Sequence, residues 1–279
     1  MLVNLQTIIG MAEKGNYCIP AFNVYNTETI MGVIDAAEQE KAPVIIQIYP
    51  RLINEEVGFY ICPSIVAAAQ RASVPVCFHL DHGPSELETT RSLRYGATGI
   101  MLDGSTLPFE ENIALTRRVV ETCAHLDVGV EGELGHVGFT KDEEMDEFTT
   151  PEDAKRFVEE TGVSCLAVAV GTAHGRYTKP PKLDIDRIKA IRAATNNTAL
   201  VLHGGSGVPD EEIKKAVAAG IRKMNFATDI CYAFLDTCGE ELGKPDRPVA
   251  IDNFMKKPIA AVKEFCISRI HLVGANGKA

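Results

Sequence analysis

The chain has no C-x-x-C pair among its eight cysteines, no basic excess, no apolar run of membrane-spanning length and no early G-x-G-x-x-G loop. Each absence removes a class of explanation. Scattered cysteines without an export signal argue against a disulfide scaffold. Cys77 and Cys165 fall in apolar strand-like runs and Cys123 in a helical one, where a thiol acts as a small hydrophobe. A formal net charge of −10 argues against nucleic acid or an anionic membrane as the general partner. A small anionic substrate can still bind at a locally positive site. The N-terminal segment lacks a basic flank followed by a long apolar run, so a cytoplasmic protein is expected. No composition shift or low-complexity linker divides the chain, and a single domain over residues 1–279 is expected.

What is present is alternation. Hydrophobic residues make up 46% and charged residues 24% of the 279, enough for a large buried core. Strand-like runs recur about every 25 to 35 residues, each followed by a helical pattern. The runs are CIPAFNV, PVIIQIY, PVCFHLD, ATGIMLD, VGVEGEL, SCLAVAVG, TALVLHG and IRKMNFA. Helices are expected over Thr27–Glu40, Pro63–Ala72, Ser85–Tyr95, Pro108–Leu126, Pro151–Thr161, Asp184–Ala194, Pro209–Ala219 and Asp229–Leu242. Ser85 with Glu88 reads as a capping box, Pro108, Pro151 and Pro209 suit first helical turns, and Gly96, Gly162 and Gly220 suit helix ends. Eight β-then-α units predict an α/β fold, a single (β/α)8 TIM barrel. Extra helices near Leu5–Lys14 and Pro258–Val273 are expected to flank it.

In such a barrel the chemistry lies at the C-terminal strand ends. The polar residues there are Asn23, Asp81, His82, Asp103, Glu131, Glu133, His174, His203 and Asn225. Singly, each has a plain explanation; Asp103 before Gly-Ser could simply form an Asx turn. His82, His174 and His203 each follow a β-type run and precede glycine, however, and three imidazoles with one open position suit a catalytic zinc. Asp81 adds an acid–base group beside them. Gly175, Gly204-Gly205-Ser206-Gly207 and the segment Asn225–Thr228 (Asn225, Phe226, Ala227, Thr228) form a second constellation. Loops after the seventh and eighth strands are the usual phosphate site of this fold, and glycine lets backbone N–H groups approach the anion.

HLDHG (79–83), MLDGS followed by PFEEN (101–112), EGELG (131–135), VAVGTAHG (168–175), HGGSG (203–207) and KMNFATD (223–229) resemble, in this order, the class II, metal-dependent ketose-bisphosphate aldolases. The resemblance covers nearly the whole chain. It implies a lyase of carbohydrate metabolism and glycolysis, cleaving a ketose 1,6-bisphosphate of the tagatose or fructose type into dihydroxyacetone phosphate and glyceraldehyde 3-phosphate. By the resemblance His82, His174 and His203 hold catalytic Zn²⁺, and Asp81 moves the proton at the C4 hydroxyl. Asp103 and Glu133 match a second or alternative divalent-metal site. Asn23, Gly175, Gly204, Gly205, Ser206, Asn225, Phe226, Ala227 and Thr228 match substrate contacts. Carbonyls near His174 and His203 match a monovalent-cation site (Na⁺ or K⁺), and a homodimer or homotetramer is implied. The chemistry agrees: no strand-end lysine offers a Schiff base, Lys223 coming before its strand ends, whereas a Lewis acid stabilises the carbanion left beside a ketone.

Three positions depart from the family pattern. In the long segment Gly135–Thr150, expected to be a lid, Lys141 stands where relatives carry the acid that serves as base at C3. A short register shift would bring Asp142, Glu143 or Glu144 there, with Glu143 favoured. Tyr49 stands where many relatives have Ser. Ala227 replaces an Asp of some fructose-bisphosphate enzymes and is common in tagatose-bisphosphate-like relatives. A phosphorylated deoxy-keto-gluconate is the alternative substrate. A non-catalytic companion subunit is the reading from another class, against which the retention of Asp81 and all three histidines counts.

Overall fold

The computed structural model describes residues 1–135, 148–173, 175, 177 and 180–279. Eight parallel strands close into a barrel in chain order: β1 (Ile19–Asn23), β2 (Val44–Ile48), β3 (Val76–Gly83), β4 (Gly99–Leu102), β5 (Gly129–Leu134), β6 (Cys165–Val168), β7 (Ala199–Leu202) and β8 (Ile221–Phe226). Closure comes from β8 pairing with β1. The helices are α1 (Leu5–Gly15), α2 (Thr27–Glu40), α3 (Pro50–Ile53), α4 (Val57–Arg71), α5 (Glu86–Arg94), α6 (Phe109–Ala124) and α7 (Pro151–Thr161). They continue as α8 (Ile185–Ala194), α9 (Asp210–Ala219), α10 (Thr228–Leu242) and α11 (Ile251–Leu272). The expected (β/α)8 barrel is the fold found.

Local chemistry explains most boundaries. Thr150 caps α7 by accepting from the Asp153 N–H, with Pro151 in the first turn, and Gly162 ends that helix at φ 72°. A reciprocal capping box does form, but at Asn26 and Thr29 of α2. At α5 the Ser85 hydroxyl accepts from the Leu87 N–H and donates to Glu88, so that pair is joined side chain to side chain. Two helices begin earlier than expected, because Pro63 and Pro258 lie inside α4 and α11. Each proline forfeits one helical hydrogen bond, which burial of Ile61, Cys62 and Ile65 in α4 and of Val262, Cys266 and Ile270 in α11 outweighs.

The extra helices serve the barrel's two weak points. The start of α1 lies against the N-terminal strand ends, with the Leu5 N–H on the Thr98 carbonyl and Asn4 on Asp127. α11 lies on α2 at Gly32, where any Cβ would meet Val262. Phe22 of β1 and Phe226 of β8 stack outside the barrel wall, both edge-on to Phe265 of α11. All eight cysteines are free thiols, and six of them are buried.

The barrel interior departs from an apolar filling. Asn23, Gln47, His79, Asp81, Glu131, Glu133, His203, Lys223 and Asn225 are all buried. Glu131 of β5 meets Lys223 of β8 at 2.9 Å. Those strands are not neighbours, so the pair crosses the interior. Period-two alternation thus places Glu131 with Glu133, and Lys223 with Asn225, on the inner face.

Candidate active site

The site begins with an irregularity in β3. In an unbroken strand Asp81 and His82 would face opposite sides. Pairing with β4 instead shifts register between Leu80 and Gly83, and His82 takes φ 50°. This bulge brings both side chains to the mouth, with His82 Nε2 4.0 Å from Asp81 Oδ1. A left-handed non-glycine residue costs roughly 1–2 kcal/mol, and such strain concentrates where geometry serves function.

His82 and His203 face one another across the mouth, Nε2 to Nδ1 at 3.0 Å. Each ring is held from behind by a carboxylate: His82 Nδ1 lies 2.7 Å from Asp103 Oδ2, and His203 Nε2 lies 2.8 Å from Glu131 Oε1. When both rings are neutral, a ring N–H donated to the rear carboxylate leaves a lone pair on each facing nitrogen. That is the tautomer a metal ligand requires, with its orienting partner in place. Burial works against protonation of His82, yet Asp81, Asp103 and Glu133 outweigh it and push its pKa up to about 10. The mouth favours a cation. Asp81, His82 and His203 offer three donor atoms within 4.8 Å of one another, as do His82, Asp103 and Glu133. Both sets suit a divalent ion in chemical type. They compete, since His82 Nδ1 cannot both donate to Asp103 and bind metal.

Asp81 is held by two amides. Asn23 Nδ2 donates to Oδ2 at 2.8 Å and Asn225 Nδ2 to Oδ1 at 3.1 Å. Gln47 donates to Asn23 at 2.8 Å, and Lys223 Nζ donates to Asn225 Oδ1 at 2.7 Å. Lys223 therefore bridges the amide behind Asp81 and the carboxylate behind His203. It is fully buried and does not line the cavity, which removes it as a Schiff-base group. His79 packs one layer down, its pKa lowered to about 3 by burial and by Lys223.

These groups open onto a cavity of about 700 Å³ lined by Asp81, His82, Asp103, Gly175, Gly204, Ser206, Asn225, Ala227 and Thr228. Gly204 holds φ 64°, and a side chain there would collide with the Ala173 carbonyl. α10 has no side-chain cap from Ala227; the Asp229 N–H in its first turn donates instead to Ser206 Oγ at 3.3 Å, tying the helix start to the loop after β7. Phe226 turns its ring into the Phe22 stack and does not line the cavity; its contribution to the loop is backbone. Gly205 also stands back, donating to the Asn225 carbonyl at 3.2 Å. The carbonyls of Ala173 and Gly204 converge on the Tyr177 hydroxyl at 2.8 and 3.1 Å. His174, Glu143 and the other lid acids, Asp142 and Glu144, lie outside the described residues, as does most of the expected lid. Asp103 proves to serve twice, for its Oδ1 also accepts from the Ser105 N–H in the Asx turn.

Sequence reasoning did not place Gln47, Tyr25, Arg51 or Asn112 here, and it set Lys223 aside. Asn112 Nδ2 donates to the Glu133 carbonyl at 2.9 Å, tying α6 to the end of β5. The inward alternation of VEGEL and RKMN was the available signal for Glu131 and Lys223. Nothing in the sequence marked Arg51.

Fold and rim together define a (β/α)8 enzyme built around a carboxylate-backed histidine pair. The chain belongs to the class II fructose-bisphosphate aldolase family, whose family model matches residues 3–278. It is accordingly an aldolase, a carbon–carbon lyase of a generally metal-dependent family. The chain is 40% identical over 283 residues to Escherichia coli K12 YdjI, itself described as an uncharacterized protein, with 100% of both chains covered. The crystal structure of the YdjI aldolase superposes with a TM-score of 0.90 at 38% identity, again covering 100% of each chain. A Campylobacter jejuni fructose-bisphosphate aldolase gives a TM-score of 0.81 at 24% identity, covering 100% of this chain and 97% of that one, and speaks for the fold alone.

Proposed function

We propose that the protein catalyses reversible aldol cleavage of a ketose 1,6-bisphosphate, of the tagatose or fructose type, to dihydroxyacetone phosphate and glyceraldehyde 3-phosphate, using zinc held by His82, His174 and His203. The observation that carries this reading is the facing pair of carboxylate-backed imidazoles 3.0 Å apart, beside an Asp81 clamped by two amides. A divalent ion bound there supplies Lewis-acid polarisation of the substrate ketone.

The chain's own residues do the rest. Gly175, Gly204, Ser206 and the start of α10 receive the C1 phosphate. Asp81 accepts the C4 hydroxyl proton; the C3–C4 electron pair moves toward the C2 carbonyl, and the aldehyde departs. With both oxygens already held by Asn23 and Asn225, Asp81 needs little reorganisation for that transfer. Glu143 in the lid delivers the proton to C3. Asp103 fixes the His82 ring, and together with Glu133 it forms an alternative metal position. The same reading takes the enzyme to be a cytoplasmic homodimer or homotetramer.

The test is a panel of fructose, tagatose and sorbose 1,6-bisphosphates against their monophosphates, before and after chelation and zinc return. Cleavage of one bisphosphate, lost on chelation and restored by zinc, is expected. Absence of cleavage with all of them, or cleavage indifferent to metal, overturns the reading.

A further inference from the structure

The cavity continues past Asp81 to a wall that the steps above do not use. Arg51 stands there, on the first turn of α3 directly after β2. Its guanidinium carbon lies 4.8 Å from the Tyr49 ring centre and 5.7 Å from that of Tyr25. Both rings line the same cavity. Burial keeps both phenols protonated, reinforced for Tyr49 by the Asp81 charge, so the platform beneath the guanidinium is neutral. Arg51 makes no ion pair among the described residues. It is also the one lysine or arginine among the described residues that line the cavity.

The order of strands around the rim gives this wall a place on the substrate. In the closed barrel β7, β8, β1, β2 and β3 follow one another. A C1 phosphate on the β7 and β8 loops, C2 and C3 at the two histidines and C4 at Asp81 leave the remaining carbons running toward the end of β2. There they meet an aromatic-stacked guanidinium whose N–H fork is not committed to a carboxylate. Contact with two rings holds the guanidinium in place, which favours recognition of an anion.

We propose that Arg51 is the specificity-determining residue for the distal end of the substrate: it binds an anionic terminus, phosphate or carboxylate, carried beyond C4. This rests on the aldolase reading above, and the experiment separates the two. Dihydroxyacetone phosphate is condensed, by metal-loaded full-length enzyme, with glyceraldehyde, glyceraldehyde 3-phosphate and tartronate semialdehyde. These are a neutral, a phosphorylated and a carboxylate-ended three-carbon aldehyde. Arg51→Met keeps the stem on the rings and removes the charge, while Arg51→Lys keeps the charge and loses the fork. In Arg51→Met the preference for an anionic over the neutral acceptor, as a ratio of kcat/KM, should fall by about 10- to 100-fold, the usual loss of a charge-assisted hydrogen-bonded pair. Most of the change should be in acceptor KM, with partial recovery in Arg51→Lys. The acceptor whose advantage disappears identifies the terminus as phosphate or carboxylate. Equal losses on all three acceptors, or an unchanged ratio, overturn the proposal. Proton exchange at C3 of dihydroxyacetone phosphate needs no acceptor: exchange with an unchanged ratio sinks only the role of Arg51, and no exchange or condensation by the wild type sinks the aldolase reading with it.

Discussion

Replacing Lys223 by Met should destabilise the fold as much as truncating a large core side chain. The ammonium lies 2.9 Å from Glu131 Oε2 and 2.7 Å from Asn225 Oδ1, with no exposed surface. Methionine nearly fills the same volume, so the loss is electrostatic: the buried Glu131 carboxylate loses its ammonium partner and is left with His203, His79 and Cys165. Breaking one side of a buried pair costs about 3–5 kcal/mol, mostly as the stranded charge. For a chain of this size that lowers Tm by roughly 6–20 °C. Glu131→Gln removes the stranded charge while its amide oxygen still accepts from His203 Nε2. The double variant Glu131→Gln/Lys223→Met should therefore be more stable than Lys223→Met alone. Thermal and urea unfolding of metal-stripped protein would measure this, because metal bound to the folded state masks differences. A double variant no more stable than Lys223→Met would refute the argument. So would a single-variant loss below about 1 kcal/mol, the scale of an exposed pair.

Three further outcomes test the site. His203→Ala and His82→Ala should each lose tightly bound zinc and cleavage together, since a three-ligand site reduced by one holds metal poorly; full activity in zinc-depleted His203→Ala would refute it. Asp81→Ala should retain zinc while turnover falls roughly a hundredfold or more, the scale of a lost acid–base group, and zinc leaving with activity would make Asp81 a ligand. Glu143→Ala should slow proton exchange at C3 of dihydroxyacetone phosphate with metal retained, compared with Asp142→Ala and Glu144→Ala; near-wild-type exchange in all three would put the base elsewhere.

The barrel was legible because its signals are local. Each strand is a short run between turn signals, and several helices announce themselves by periodicity and a start signal such as Ser85 or Pro151. Helices α4 and α11 run through Pro63 and Pro258 because burial of their apolar faces outweighs the local preference of proline for a first turn. The site was legible where its residues fall at strand ends, as Asp81, His82, Asp103 and His203 do. It was opaque where function depends on pairs brought together only by closure. Lys223 reads as an ordinary strand residue until β8 stands opposite β5 and its nitrogen meets Glu131. The bulge at His82 is a matter of pairing with β4, and HLDHG alone carries no sign of it. Arg51 sits in a helical turn, where an arginine usually means solvent.

His82 and His203 are 121 positions apart, and their facing nitrogens are 3.0 Å apart. Nothing short of β3 through β7 in register can produce that meeting. A partly folded chain therefore owns the histidines but not the site, and a metal bound as proposed above would discriminate between finished and unfinished barrels. Capture of that ion would act as a final latch rather than a nucleus. It would leave the early steps of folding untouched and slow only the way back, so that loading with metal would lengthen the life of the native state without hastening its birth.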